Sequence, residues 1–315
     1  MIDVQDALSI SKQHVQNALC NAAPGLNDMT THLAQSAGKG IRTLLLVTSA
    51  ANSENKVTKD VTYAAAAIEL LHMATLVHDD VMDDADTRRG LPTVHKKFDT
   101  KSAVICGDYL LSLSLSTIAN INVTESEKQT SPAPHLIRSL TAICKGEYSQ
   151  HINVGNFDMN LSAYLRIISG KTAMLFTASA CIGAVLGGES DATVKDLSRF
   201  GRCLGMIFQI IDDCNDYESS EAKSLKPVVN DIKNGIITLP LILAINKNPD
   251  LRKTAKQALL LHDNLPDFAQ SVQNAGGVDA ARAVALRYSA WATKALKNVC
   301  PEKRQALLSI LNNIL

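Results

Sequence analysis

The chain carries no net charge: 31 lysines and arginines balance 31 aspartates and glutamates, so nothing global draws it to nucleic acid or to an anionic membrane. It has no CxxC pair either. Cys20, Cys106, Cys144, Cys181, Cys203, Cys214 and Cys300 stand singly in apolar or helical surroundings, which excludes a regular disulfide framework and reads as a reduced, cytoplasmic protein. The beginning, MIDVQDALSI, lacks a basic region followed by an apolar run, so no secretory signal is visible. The longest stretch without charge, Thr172 to Gly188, starts beside Lys171 and is broken by Ser, Gly and Thr; it reads as a buried core helix rather than a membrane span. Runs of alternating β-branched residues bounded by hairpin turns are missing, as are short-period repeats.

What is present is helical spacing of apolar residues almost everywhere, in a chain of 315 residues that is 46% hydrophobic and 20% charged. The fold class expected is all-α. Turn-forming clusters at residues 52–55, 122–134, 154–160, 219–227, 246–249 and 275–277 separate helices rather than domains, so residues 1–315 are expected to form one helical domain.

Residues 78 to 90, HDDVMDDADTRRG, place five aspartates within eight residues ahead of two arginines. Unit charges about 4 Å apart repel by roughly 1 kcal/mol even in water, so such a cluster calls for a cation or an open surface. The pattern has an echo. VHDDVMDDAD, from Val77 to Asp86, is matched by QIIDDCNDYE, from Gln209 to Glu218, each with two adjacent aspartates, two residues and a third aspartate after an apolar helical stretch. Residues four apart share a helix face, so Asp79 with Asp83, and Asp212 with Asp216, project together, flanked by Asp80 and Asp213. Hard carboxylate oxygens suit Mg²⁺, which is commonly shared between one or two carboxylates and substrate phosphates. Two facing triads would hold a diphosphate through Mg²⁺, and a diphosphate so held is a leaving group within reach of carbocation chemistry.

Rival readings explain less. A phosphohydrolase taking His78 and Asp79 as its metal pair leaves the second triad unused. An EF-hand starting at Asp84 would need Gly where Arg89 stands and Glu where His95 stands. Ser169 to Thr172 imitates the tail of a phosphate loop, but the glycine required five residues before Gly170 is Leu165.

Between Gly38 and Pro240 the motifs resemble, in order and content, those of the trans-isoprenyl diphosphate synthase (polyprenyl synthetase) family. The resemblance rests on Gly38, Lys39 and Arg42; Glu69 and His72; the two triads; Arg88, Arg89 and Gly90; Gly107 and Asp108; Gly146, Glu147 and Gln150; Lys171 and Thr172; Phe208 and Gln209. It implies a helical bundle around a central cavity and condensation of isopentenyl diphosphate with an allylic diphosphate. Asp79, Asp80, Asp83, Asp212, Asp213 and Asp216 would bind Mg²⁺ and the allylic diphosphate, with Arg88, Lys171 and Lys226 touching that diphosphate. Lys39, Arg42, His72 and Arg89 would hold isopentenyl diphosphate in a metal-free site. Dipoles of Thr172 and Gln209 are expected to stabilise the allylic cation.

One helical turn, about 5.4 Å, is close to one isoprene unit, so residues one turn before Asp79 are expected to set product length. They are Ala74 and Thr75. The resemblance pairs small residues there with longer products, hexaprenyl to octaprenyl, for quinone side chains; farnesyl or geranylgeranyl synthesis, a partner-dependent subunit and a scaffold subunit remain alternatives. Two positions depart from the family pattern: Ile236 stands where it has lysine, and Leu225 where it has glycine. The resemblance also implies a homodimer, with transient membrane contact when an apolar product leaves.

Overall fold

Helical spacing along the chain is answered in the computed structural model by helices almost throughout; it describes all residues except 36, 37, 39, 122–130, 219–229 and 262–264. The all-α expectation holds. Among the described residues the exceptions are two short antiparallel pairs, β1 (Ile2–Asp3) with β2 (Lys56–Val57) and β3 (Thr87–Arg88) with β4 (Leu91–Pro92). By its contacts the chain divides into two compact units.

The first unit comprises Met1–Ser139, Leu175–Gly201 and Ala295–Ile310. Its helices include α1 (Val4–Cys20), α2 (Asn27–Ala34), α3 (Ile41–Ala50), α4 (Lys59–Met82), α5 (Val94–Lys97) and α6 (Thr100–Ala119). The central one is α4, packed chiefly on α6 and also on α1 and α3. It is alanine-rich and apolar on most sides: Ala64, Ala65, Ile68, Leu70 and Leu71 are buried. Each buried leucine or isoleucine contributes about 1.5–3 kcal/mol relative to exposure. The helix stops at its aspartates, where Asp84 adopts a positive φ of 48°. Helix α6 starts on an N-cap, the Asp99 side chain accepting from the Ser102 N–H at 2.9 Å. Two contacts fix the α4–α6 approach. The Ser114 hydroxyl donates to the Ala67 carbonyl at 2.6 Å, and Gly107 sits where an added Cβ would come within 2.2 Å of His78 Nε2.

The second unit comprises Leu140–Met174, Arg202–Lys294 and Leu311–Leu315. The boundaries fall inside helices: α7 (Ala133–His151), α10 (Asp191–Glu218) and α15 (Gly277–Ala295) each begin in one unit and end in the other. Between α7 and α10 the chain forms α8 (Leu161–Ile168), a wider π turn over Ser169–Ala173, and α9 (Met174–Leu186); after α10 come α11 (Asn230–Lys233), α12 (Leu239–Lys247), α13 (Leu251–Leu261), α14 (Leu265–Asn274) and, beyond α15, α16 (Pro301–Asn312). Ile207, Ile210, Tyr217, Leu239, Phe268 and Val272 are buried here.

Among the described residues three helical stretches are long and apolar enough to cross a membrane: Lys59–Met82, Thr100–Ala119 and Leu161–Leu186. The first and third lie mostly inside the fold, and the third contains most of the charge-free stretch expected to be a core helix.

Candidate active site

Of the aspartates between His78 and Arg88, two belong to a surface ion cluster. Lys96 reaches Asp84 at 2.8 Å and Asp86 at 3.2 Å, and His95 approaches Asp84 at 3.4 Å. That leaves Asp79, Asp80 and Asp83 at the last turn and C-cap of α4, the negative end of the helix dipole, where carboxylates are unfavourable unless a cation joins them. Asp80 has one. Arg88 donates Nε and Nη2 to its Oδ1, both at 2.7 Å, and only 5% of Asp80 is exposed. Burial raises the Asp80 pKa, and Arg88 pulls it back. Asp79 is half-buried and Asp83 exposed.

His78 turns away from this group. Its Nε2 lies 3.3 Å from the Val104 carbonyl and 3.4 Å from Asp108 on α6, which removes the support for a metal pair with Asp79.

Arg88 and Arg89 are separated by a reversal of the chain. In the β3–β4 hairpin Thr87 pairs with Pro92 and Arg88 with Leu91, leaving Arg89 and Gly90 as a two-residue turn. Both have positive φ, 52° and 80°, as the tightest hairpin turns require. Arg88 therefore runs to Asp80, whereas the Arg89 guanidinium lies against Gly38, close enough that a Cβ there would stand 2.8 Å from Nη2.

Arg42 and His72 join that second group. Arg42 donates Nη1 to His72 Nε2 at 3.2 Å and places its guanidinium 4.6 Å from the centre of the Phe176 ring. Burial lowers the Arg42 pKa to about 10, Arg89 adding to the effect and Glu69 opposing it. His72 is held well below the usual histidine range by burial first, then by Arg42, Arg89 and Arg88. It is thus a neutral acceptor among arginines. The structure brings Gly38, Arg42, His72 and Arg89 together; Lys39 lies outside the described residues.

In the second unit a hydrogen-bonded chain runs through the other triad. The Thr172 hydroxyl donates to Gln209 Oε1 at 2.6 Å, Gln209 Nε2 donates to Asp213 Oδ1 at 2.7 Å, and the Tyr164 hydroxyl donates to Asp213 Oδ2 at 2.5 Å. Burial pushes the Asp213 pKa up to about 7, against the pull of those two donors and with Asp212 and Asp216 adding to the rise. Asp212 is exposed, and half-buried Asp216 accepts the Asp231 N–H at 3.3 Å. Lys171 sits in the π turn, a feature frequent at functional sites, and reaches Glu147 at 3.0 Å. The turn packs on α7 through two glycines: a Cβ on Gly146 would come 2.3 Å from the Lys171 backbone nitrogen, and one on Gly170 2.9 Å from the Ala142 carbonyl.

The middle aspartate of each triad is thus occupied by the protein, Asp80 by Arg88 and Asp213 by Gln209 and Tyr164. The middle position of each triad faces the core. Among the described residues no three His, Cys, Asp or Glu side chains form a ready-made metal cluster. The outer pairs, Asp79 with Asp83 and Asp212 with Asp216, are a hard-oxygen donor set of the kind that holds Mg²⁺ together with water and phosphate, so the residues fit that ion. Tyr164 was missed in the sequence: no spacing rule ties it to an aspartate 49 positions away.

Ala74 is 2% exposed, in a cluster with Val15, Leu19, Met29, Leu70, Cys106 and Leu110. Thr75 is half-buried and donates its hydroxyl to the His72 carbonyl at 2.8 Å. Lys226 and Leu225 lie outside the described residues.

The polyprenyl synthetase family model matches residues 23–274. The chain belongs to the polyprenyl synthetase family. It is 35% identical over 289 residues, 90% of this chain and 80% of the relative, to heptaprenyl diphosphate synthase component 2 of Bacillus subtilis. It is also 35% identical over 247 residues, 78% of this chain and 74% of the relative, to a geranylgeranyl diphosphate synthase of Sulfolobus acidocaldarius. A polyprenyl synthase of Caulobacter crescentus, solved with calcium and isoprenyl diphosphate, superimposes with a TM-score of 0.88 at 26% identity, covering 98% of this chain and 94% of that one. A polyprenyl synthetase is a prenyltransferase, so the synthase reading holds over the hydrolase and scaffold readings.

Proposed function

We propose that this polyprenyl synthetase condenses isopentenyl diphosphate with an allylic diphosphate into a trans-polyprenyl diphosphate of medium or long chain, hexaprenyl to octaprenyl. The reading rests on one observation above all: in both triads the middle aspartate is buried and held by the protein, while the other two carboxylates are half-buried or exposed. Asp79, Asp83, Asp212 and Asp216 would hold Mg²⁺, which when bound supplies Lewis-acid neutralisation of the departing diphosphate. Asp80 and Asp213 position those ligands.

Lys171 and Arg88 are assigned to the allylic diphosphate, and Arg42, His72 and Arg89 to the diphosphate of isopentenyl diphosphate. His72, kept neutral, accepts from Arg42 through Nε2 and leaves Nδ1 to carry the ring proton. Because Asp213 fixes the Gln209 amide and Gln209 fixes the Thr172 hydroxyl, the oxygen dipoles of both are set in advance for a developing allylic cation, at no reorganisation cost when it forms. Attack by the homoallylic double bond makes the new carbon–carbon bond, and the released diphosphate takes the proton. No histidine base is required.

Small residues at Ala74 and Thr75, together with the heptaprenyl name of one relative, support the longer product. The geranylgeranyl name of an equally similar relative favours a shorter one. Exposed Val104 and Ile105 on α6 and Tyr148 on α7 support a homodimer, and a relative named as one component of a synthase supports a need for a second subunit. The family match, which takes in residues of both units, supports one domain; scattered free cysteines support a cytoplasmic setting. Incubation with isopentenyl diphosphate, allylic primers of several lengths and Mg²⁺ or EDTA, followed by chromatography, tests this directly. Metal-dependent products of about seven isoprene units are expected; hydrolysis alone, or no turnover by the chain in isolation, would reject the reading of a self-sufficient long-chain enzyme.

A further inference from the structure

Helix α15 has an outer face that the proposed chemistry does not use. Ala283, Leu286, Arg287, Ala290, Trp291 and Lys294 recur at helical spacing along it, and all are exposed, Leu286 by 60% and Trp291 by 54%. Residues turned the other way, Val278, Ala281, Val284, Ala285 and Ala292, are buried. The only tryptophan of the chain therefore stands in solvent, its ring edge-on to Tyr288 at 4.9 Å.

Beyond its first turn, the charges that α15 itself carries have one sign. From Ala280 to Pro301 the sequence contains Arg282, Arg287, Lys294 and Lys297 and no acid. The nearby acids, Glu218 at the end of α10 and Asp279 in the first turn of α15, act on Arg282, which is ion-paired to Glu218. Arg287 and Lys294 lie one and three turns further along, and exposed Arg202 on α10 adds its field at Tyr288. A leucine and a tryptophan among alanines, rimmed by arginine and lysine, match the level of a bilayer where indole rings settle and anionic headgroups attract cations.

We propose that the outer face of α15 is a reversible docking surface for an anionic lipid bilayer, with Trp291 and Leu286 entering the headgroup boundary and Arg287 and Lys294 facing the phosphates. The attachment is weak by construction, because one short apolar stripe with few cations gives only transient binding. Its use, bringing an apolar product to the phase that dissolves it, rests on the polyprenyl reading; the binding itself does not.

The single tryptophan makes the test direct. Full-length protein is mixed with vesicles of phosphatidylcholine alone or of phosphatidylcholine with phosphatidylglycerol, and tryptophan emission and flotation are followed. Blue-shifted emission and co-flotation are expected with the anionic vesicles only, reversed by high salt. The Arg287→Glu/Lys294→Glu variant should lose about tenfold or more in partitioning while keeping its circular dichroism and its condensation rate on a short, water-soluble primer. Leu286→Ser should weaken insertion with the salt dependence retained. An unchanged emission spectrum on anionic vesicles, equal partitioning of the charge-reversed variant, or a blue shift that follows protein concentration without lipid and so marks a second copy on this face, each overturns the proposal. Because condensation is assayed separately, an inactive protein that binds vesicles, or an active one that does not, tells the two readings apart.

Discussion

Tyr164 and Asp213 are both buried, and the phenol donates to the carboxylate at 2.5 Å. The pair anchors one end of a chain of side chains whose other end, Thr172, is assigned to the reacting carbon. Tyr164→Phe removes the donor and leaves Asp213 with Gln209 alone. A hydrogen bond to a charged group contributes about 1.5–3 kcal/mol, so chemical denaturation should show a loss in that range. Turnover should fall about tenfold or more with little change in KM, since the affected dipoles act on the transition state.

Removing Arg88 has a different consequence from removing an outer aspartate. Arg88→Ala strands the buried Asp80 carboxylate and should cost about 1–3 kcal/mol of stability. Asp79→Asn should cost less stability than that and lower kcat by more than a hundredfold, with a raised Mg²⁺ requirement. Equal stability losses for the two variants would contradict the division between middle and outer aspartates.

Gly146→Ala tests how Lys171 is placed. The new methyl would stand 2.3 Å from a backbone nitrogen, which no rotamer change relieves, so α7 and the π turn must separate. A stability loss of about 1–3 kcal/mol is expected from overpacking, with the Lys171–Glu147 ion pair displaced and KM for the allylic substrate raised. Gly25→Ala, at a position with open space but a φ of 91°, should affect stability and leave KM unchanged.

The depressed pKa of His72 sets a pH dependence. At neutral pH the ring is neutral folded and unfolded. As pH falls below the unfolded value of about 6.5 the unfolded chain takes up the proton first, so stability declines with acidification until the folded-state pKa is passed. His72→Gln should flatten that part of the stability–pH curve, measured by denaturation from pH 7 down to 5.

Ala74→Tyr probes product length. The cluster around Ala74 is closed, so the larger ring costs about 1–3 kcal/mol and should shorten the product to farnesyl or geranylgeranyl diphosphate. A folded variant with unchanged product would place the floor elsewhere along α4 or α6.

The helices and both triads were legible because helical periodicity and a repeated spacing of aspartates are local signals. The grouping of Gly38, Arg42, His72 and Arg89 came through a resemblance of motifs, since nothing in residue spacing alone joins α3 to the β3–β4 turn. Burial was illegible: Asp80 and Asp79 are neighbours in a row of like residues, and only the packing of α4 distinguishes the buried one that takes Arg88 from its half-buried neighbour. Tyr164 and Lys96 were missed for the same reason, their partners being chosen by tertiary packing.

A ribbon that reverses direction in two residues has no slack. Side chains at Thr87 or Leu91 can be exchanged while the ribbon stays in register, but one inserted residue would rotate an arginine to the opposite edge and send both guanidinium groups to the same neighbour. The stretch from Thr87 to Pro92 is thus a place where this enzyme can vary in composition but not in length, and alignments or designs that open a gap there break the division between the arginine held by Asp80 and the arginine against Gly38.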